Sequence, residues 1–382
     1  MVLMIFVNDL GSLKNIPGWL EHVKPKVDGI GLADTVFPAF LFISGMSLPF
    51  AIANRRRKGD TNWALVLHVL TRTAALLVMG VFLVNGETLI APASGMGCHI
   101  WNVLSCLAFI AIWNVYPMTL NKRAVYALKI AATVLLVWMA IVYRGSEDGG
   151  PVYRFAPQWW GILGLIGWAY LVSGLVTVFS RGNMSGLLTG WTVLAGLSLL
   201  YASGFGHDNW FSTLPEPIVG GTIAGFTMGG VVISSLFIHY QAPGQQSRTN
   251  KSLTITLVCI SAFLIALSLY THRFFILSKL GATPPWLFLC SAITIGAFLI
   301  IHYICDVKGH SSWLDFVRPA GTDTLLCYLI PYVLVAIMHY THFKLPDVLT
   351  TGGLGLVKSF LFAMLCVFLT AKLNRAGIKL RL

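Results

Sequence analysis

Apolar runs of about twenty residues, each long enough to cross a hydrocarbon core of about 30 Å as an α-helix, alternate with short polar connections along the whole chain. The pattern predicts full spans near 33–53, 62–85, 100–117, 124–142, 159–180, 184–203, 218–240, 252–271, 284–304, 322–340 and 354–374. A shorter run, residues 1–10, precedes them; as helix it reaches about 15 Å, half a bilayer. It is either a helix that starts in mid-membrane or the remainder of one that begins upstream, and the second is the expectation. Spanning strands would instead read as short alternating segments. The expected fold is therefore an all-α polytopic membrane protein, with about 11 full transmembrane helices plus a partial first helix, forming one domain over residues 1–382.

Composition agrees: 56% of the 382 residues are hydrophobic and 10% are charged, against about 25% charged in soluble domains. The net charge of +12 does not imply nucleic acid, because the basic residues are scattered among membrane loops. Their distribution orients the chain. The loop after the second crossing carries Arg55, Arg56, Arg57 and Lys58 and is placed in the cytoplasm. Alternation then puts Lys122, Arg123, Arg181, Arg248, Lys251, Lys308, Arg318 and the tail residues Lys372, Arg375, Lys379 and Arg381 on the same side. The opposite loops 86–99 and 205–217 contain no Lys or Arg. Both termini are expected in the cytoplasm, and His22, Asp28 and Asp34 on the outer face. Six cysteines in or beside apolar runs read as small apolar fillers, since no metal-binding spacing occurs. No internal repeat is evident, which weakens a transporter reading.

Residues 8–40 form the densest cluster of polar, reactive groups in this apolar chain. Imidazole titrates near neutrality, so His22 is either a general base or a solvated loop histidine. Asp34 opens an apolar helix, where a carboxylate is costly; it either orients His22 or stabilises its own helix N-terminus. Asn8 is a candidate oxyanion donor or a polar helix end. Arg72 lies inside the third crossing, entered from the cytoplasm; it either meets a phosphate or snorkels. Arg55, Arg56, Arg57 and Lys58 are candidate nucleotide-phosphate ligands, or simply the topology signal. His207, Asp208 and Trp210 suit a sugar ring, although Trp is equally expected in an interfacial belt. Glu87 and His99 are further outer candidates. His339 and His342 share a helical face if the helix persists, but no carboxylate stands at ligand spacing, so no metal is expected. The glycines of GGTIAGFTMGG near 220–230 read as helix packing, and Pro331 as a kink.

The stretch MVLMIFVNDLG, then His22, then GLADTVFPAFLFISGMS resembles the opening of the heparan-α-glucosaminide N-acetyltransferase family of transmembrane acyltransferases, including its bacterial relatives. Looser support comes from RTAALLVMGVFLVNGE at 72–87, WWGILGLIGWAYLV at 159–172, ATPPW at 282–286 and PAGTDTLLCYLIPY at 319–332. The resemblance implies that Asn8 and His22 match the family's active-site Asn and catalytic His, and Asp34 the Asp before its Leu-Val-Phe-Pro run. Thr35 departs from that Leu, and Asp323 stands where an Asn is common. The implied activity is transfer of acetyl from cytosolic acetyl-CoA to an amino sugar across the membrane.

The expected protein is thus a bacterial inner-membrane acyltransferase. Acetyl-CoA is its co-substrate, and an extracytoplasmic sugar, the bilayer and a possible second copy of the chain are its partners. His22 serves as base or transient acetyl carrier, Asn8 as oxyanion donor and Asp34 as orienting group. Two alternatives stand beside it: a sugar or lipid transporter or flippase without chemistry, and an O-acetyltransferase acting on an envelope polysaccharide.

Overall fold

The computed structural model describes the backbone of residues 1–147, 149–205, 213–240 and 246–382, with side chains throughout except at 246–250. Each predicted span coincides with a helix. In chain order these are α1 (Val2–Asp9), α2 (Leu32–Arg57), α3 (Asn62–Asn85), α4 (Cys98–Trp113), α5 (Lys122–Val142), α6 (Gly161–Ser180), α7 (Met184–Ala202), α8 (Thr222–Tyr240), α9 (Gln246–Thr271), α10 (Pro284–His302), α11 (Thr324–Tyr340) and α12 (Gly352–Arg375). Among the described residues there is no strand, only isolated bridges such as Lys14 with Thr351 and Asn114 with Leu380. The chain is an all-α polytopic membrane protein.

Among the described residues, nine helices are long and apolar enough to cross a bilayer, and the pair Ser312–Thr322 and Thr324–Tyr340, bent by 77°, makes a tenth if taken as one span. The helix found near the predicted 100–117 span is shorter than expected. Its 16 residues end where the chain turns extended at Asn114, a rise of about 24 Å. The 77° bend lies at Asp323, while Pro331, where the sequence suggested a kink, sits inside the helix that follows. Lipid-facing surfaces are plain: Ile130, Val134, Trp138 and Ile141 recur along one face of α5 and are all exposed. An exposed apolar stripe with helical spacing is what a hydrocarbon solvent selects.

Local sequence sets the helix ends. Asn121 accepts from Arg123 N at the start of α5, and Asn183 from Ser185 N at the start of α7; short polar side chains take up first-turn N–H groups in this way. Thr283 precedes α10, with Pro284 and Pro285 at its first positions, where the missing N–H costs nothing.

The chain divides into two compact units. The first comprises residues 1–16, 75–164 and 314–382. In it, Trp101 is fully buried, stacks on Phe82 at 5.6 Å and donates from Nε1 to the Phe82 carbonyl at 2.7 Å. Phe155 and Tyr143 complete this aromatic knot. At the other end of the unit Asp323 caps α11 through Leu326 N and accepts from Leu380 N of the tail.

The second unit comprises residues 17–74 and 165–313. Its centre is the pairing of α2 with α8, explained by Gly230, one of the glycines the sequence analysis read as packing, and by Gly45, which it did not. A Cβ on Gly230 would collide with the Phe42 carbonyl, and one on Gly45 with the Thr227 carbonyl. The two backbones touch because neither position has a side chain. Gly45→Val or Gly230→Val therefore drives a side chain into backbone that cannot rotate away. Over-packing of this kind costs about 1–3 kcal/mol or more. Both variants are expected to melt several degrees lower in detergent, while Gly196→Ala, with nothing within 4 Å of its added Cβ, melts as the wild type.

Candidate active site

Asp34 is the third residue of α2, and its side chain is 2% exposed. A carboxylate so placed is tolerated only when its oxygens are paired and hydrogen-bonded. Gly31 N donates to Oδ2 at 3.1 Å and Val23 N to the same oxygen at 3.0 Å. On the other oxygen, His22 Nδ1 lies 2.7 Å away and Lys279 Nζ 3.8 Å. The capping role and the orienting role are thus filled together: one oxygen satisfies the helix start and the loop, the other faces the imidazole.

The backbone of Asp34 is also engaged. Pro38, four residues on, lacks the N–H that would bond the Asp34 carbonyl within the helix. Trp286 Nε1 donates to that carbonyl at 3.0 Å instead. Trp286 is fully buried and meets Phe226 edge-on at 4.8 Å. The DTVFP stretch and the ATPPW stretch, far apart in sequence, are therefore two halves of one contact.

The loop carrying His22 lies directly on the start of α2. Leu20 is buried, and a Cβ on Gly31 would strike the Glu21 carbonyl and come within 3.2 Å of the Trp19 carbonyl. His22 itself is 46% exposed. With Nδ1–H assigned as the donor to Asp34, Nε2 is the basic nitrogen, and among the described residues it has no hydrogen-bond partner. Lys279 Nζ stands 3.2 Å from Nδ1. Because Nδ1 holds only one hydrogen-bond site, its shorter contact with Asp34 takes precedence. Burial lowers the Lys279 pKa, and the Asp34 charge opposes that shift.

Lys279 sits in a tight turn built by its neighbours. Ser278 N donates to Thr283 Oγ1 at 3.0 Å, and Gly281 N to Ser278 Oγ at 3.1 Å. The turn closes through Ala282 in the left-handed region at φ +45°, and Thr222 Oγ1 donates to the Ala282 carbonyl at 2.6 Å. Asp28 latches this turn to the His22 loop. Its carboxylate takes Leu277 N at 2.8 Å and His272 Nε2 at 2.9 Å, while Gly29 N donates to the Leu277 carbonyl at 2.9 Å. The Leu277 N–H and then His272 hold the Asp28 pKa below its ordinary value.

Of these three, sequence reasoning grouped Asp28 with His22 and Asp34 on one face without giving it a role, and did not single out Lys279 or His272; the nearness of Lys279 to ATPPW was the available signal.

The remaining candidates fall elsewhere. Asn8 is exposed at the end of α1, in the first unit. Its neighbour Asp9 pairs with Lys358 Nζ at 2.8 Å and accepts from Ser359 Oγ. The Arg72 guanidinium lies 4.6 Å over the Tyr170 ring, with its Nε buried and unpaired. Arg55 is paired with Asp60 at 2.7 Å, and Arg56 donates to the Val178 carbonyl at 2.6 Å. Only Arg57 and Lys58 of that basic run are exposed. The His99 ring lies 4.1 Å from that of His339. Because α11 ends at Tyr340, His342 falls outside the helix and does not share its face with His339. Glu87 lines a cleft in the first unit. His207, Asp208 and Trp210 lie outside the described residues.

Residues 1–179 match a family described as a domain of unknown function, DUF5009. The chain is similar to two curated proteins, both named heparan-alpha-glucosaminide N-acetyltransferase. The mouse protein is 23% identical across 86% of this chain and 51% of its own length. The human protein is 24% identical across 86% of this chain and 50% of its own length. The chain thus spans about half the length of the curated relatives it matches.

Two outcomes are expected. Gly31→Ala pushes the Glu21 carbonyl off the helix start and displaces His22; it should lower any His22-dependent activity at least tenfold (about 1.4 kcal/mol) and, like the other backbone clashes, lower the melting temperature. The second concerns pH. The folded chain releases the Asp28 proton at lower pH than the unfolded chain does, so near pH 4 the unfolded chain binds more protons and stability rises with pH there. The latch is complete above the unfolded carboxyl pKa of about 4 and is lost as pH falls through the folded value. Melting temperatures measured from about pH 6 to about pH 3 should fall more steeply for wild type than for Asp28→Asn.

Proposed function

We propose that the protein is a membrane acyltransferase that moves acetyl from cytosolic acetyl-CoA to an extracytoplasmic sugar bearing an amine or hydroxyl. The observation that carries this reading is the dyad of a buried, fully hydrogen-bonded Asp34 and a half-exposed His22 with Nε2 open. A base held by an orienting carboxylate is the pair that acyl transfer uses to activate a nucleophile, here the acceptor itself. The similarity to two N-acetyltransferases supports the same class.

His22 Nε2 takes the proton of the acceptor amine or hydroxyl as it attacks the thioester carbonyl. The tetrahedral intermediate collapses with loss of the CoA thiolate, and the imidazolium returns the proton to that sulfur. In the two-step variant His22 carries the acetyl group in between. Asp34 holds the ring through Nδ1 and stabilises the imidazolium as it forms. Lys279 balances the buried carboxylate in the resting site. Asn8 is the proposed amide donor to the oxyanion. Arg72, Arg57 and Lys58 are the proposed phosphate ligands for CoA; Arg55 and Arg56 are already engaged within the protein. The setting proposed is a bacterial inner membrane with both termini in the cytoplasm.

The test is CoA release by purified protein in detergent, with acetyl-CoA and a panel of amino sugars and polysaccharide acceptors. His22→Ala is expected to lose about 10²–10⁴-fold in kcat, the usual worth of a general base. Arg72→Ala should weaken CoA binding with kcat little changed. A transporter without chemistry predicts no thermal shift with acetyl-CoA, and full activity in His22→Ala would sink the mechanism. Product analysis separates N- from O-acylation.

A further inference from the structure

In the first unit the C-terminal tail lies along the connection between α4 and α5. Asn114 pairs antiparallel with Leu380, Val115 N donates to the Lys379 carbonyl at 3.0 Å, and Arg381 N donates to the Trp113 carbonyl at 3.2 Å. Lys379 N donates to Asn114 Oδ1 at 2.8 Å. These contacts hold two exposed cations, Lys379 and Arg381, beside the connection that leads into α5, and α5 itself opens on exposed Lys122 and Arg123. Lys129, about 10 Å further along that helix, reaches back so that its Nζ lies 5.8 Å over the ring of Tyr116 in the connection. Among the described residues none of these five cations makes an ion pair. Asp323 lies behind the tail, but it is buried and its oxygens are taken by Leu326 N and Leu380 N.

Cations in loops are expected of any membrane protein. Two features here go further. Lys129 follows Tyr126 by three residues and shares its face, and Tyr126 is exposed together with the lipid-facing Ile130 and Val134. A lysine on such a face is costly unless its ammonium reaches the headgroup layer. The connection also turns apolar side chains outward: Met118 is 98% exposed and Leu120 50%. Apolar tips flanked by unpaired cations match the boundary between acyl chains and phosphates.

We propose that this edge of the first unit binds an anionic phospholipid of the bilayer. The lipid phosphate sits among Lys122, Arg123, Lys379 and Arg381, Lys129 meets it from the membrane side, and the acyl chains lie along the apolar outer face of α5. Five cations around one headgroup favour a lipid with two phosphates over a lipid with one. Nothing in this binding depends on acyl transfer.

Native mass spectrometry and thermal melting of the full chain in detergent test it, with phosphatidylglycerol, cardiolipin and phosphatidylcholine as probes. The two anionic lipids should be retained at least about tenfold more than phosphatidylcholine and should raise the melting temperature, both effects fading as salt is added. Lys379→Gln combined with Arg381→Gln should weaken retention at least about tenfold, since each cation at a lipid surface is worth about fivefold. Lys129→Met should weaken it about fivefold. Both variants should melt as wild type without added lipid. Arg57→Gln combined with Lys58→Gln, which removes two exposed cations from the second unit, should retain lipid as wild type. Equal retention of all three lipids, an equal loss in the Arg57 and Lys58 variant, or no loss in the tail and Lys129 variants overturns the proposal. Equal protection by inorganic phosphate alone overturns it in favour of a soluble anion.

Discussion

A carboxylate 2% exposed at the head of an apolar helix is the constraint on which the second unit depends. Left unpaired, Asp34 would cost several kcal/mol. Its neighbourhood is arranged so that no oxygen goes unmet: Gly31 N, Val23 N, His22 and Lys279 surround it. Each partner comes from a segment that would otherwise be free. Satisfying one buried charge therefore orders the loop before α2 and the turn before α10 at once. The imidazole is held as a by-product of that order, which is a rigid way to present a base.

Pro38 adds a second demand from the same residue. By removing a helical donor it leaves the Asp34 carbonyl open, and the fully buried Trp286 closes it. A strained or broken helix start would be free to move, but a helix start bonded from α10 is not. The glycine contacts of α2 with α8 work in the same direction, since backbone against backbone leaves no side chain to rearrange. The apolar outer faces contribute little to this rigidity, because lipid is as apolar as the side chains it meets. Polar contacts and close packing of small residues carry the specificity instead.

The helices themselves were legible from hydrophobic runs, because a bilayer demands length and apolarity from each span and the sequence must display both. His22 and Asp34 were legible as a pair because a charged residue at the head of an apolar helix is rare enough to stand out. Glycines near 220–230 were rightly taken as packing. What stayed hidden were contacts between segments remote in sequence: Lys279 with His22, His272 with Asp28, Trp286 with Asp34. A lysine in a loop looks the same in sequence whether it is solvated or pressed against a carboxylate. Likewise Arg55 and Arg56 read as free charge until their partners Asp60 and the Val178 carbonyl are in place.

The sequence alone determined that this is a helical membrane protein with a polar stretch carrying His22 and Asp34 at the head of an apolar helix, since length, apolarity and local spacing are properties of contiguous residues. Only the tertiary structure decided which side chains meet, that Asp34 serves helix and histidine together, and that the chain bends at Asp323 before α11. Those outcomes turn on satisfying buried polar groups with whatever partner the packing brings within reach, and that reach is set by folding in three dimensions.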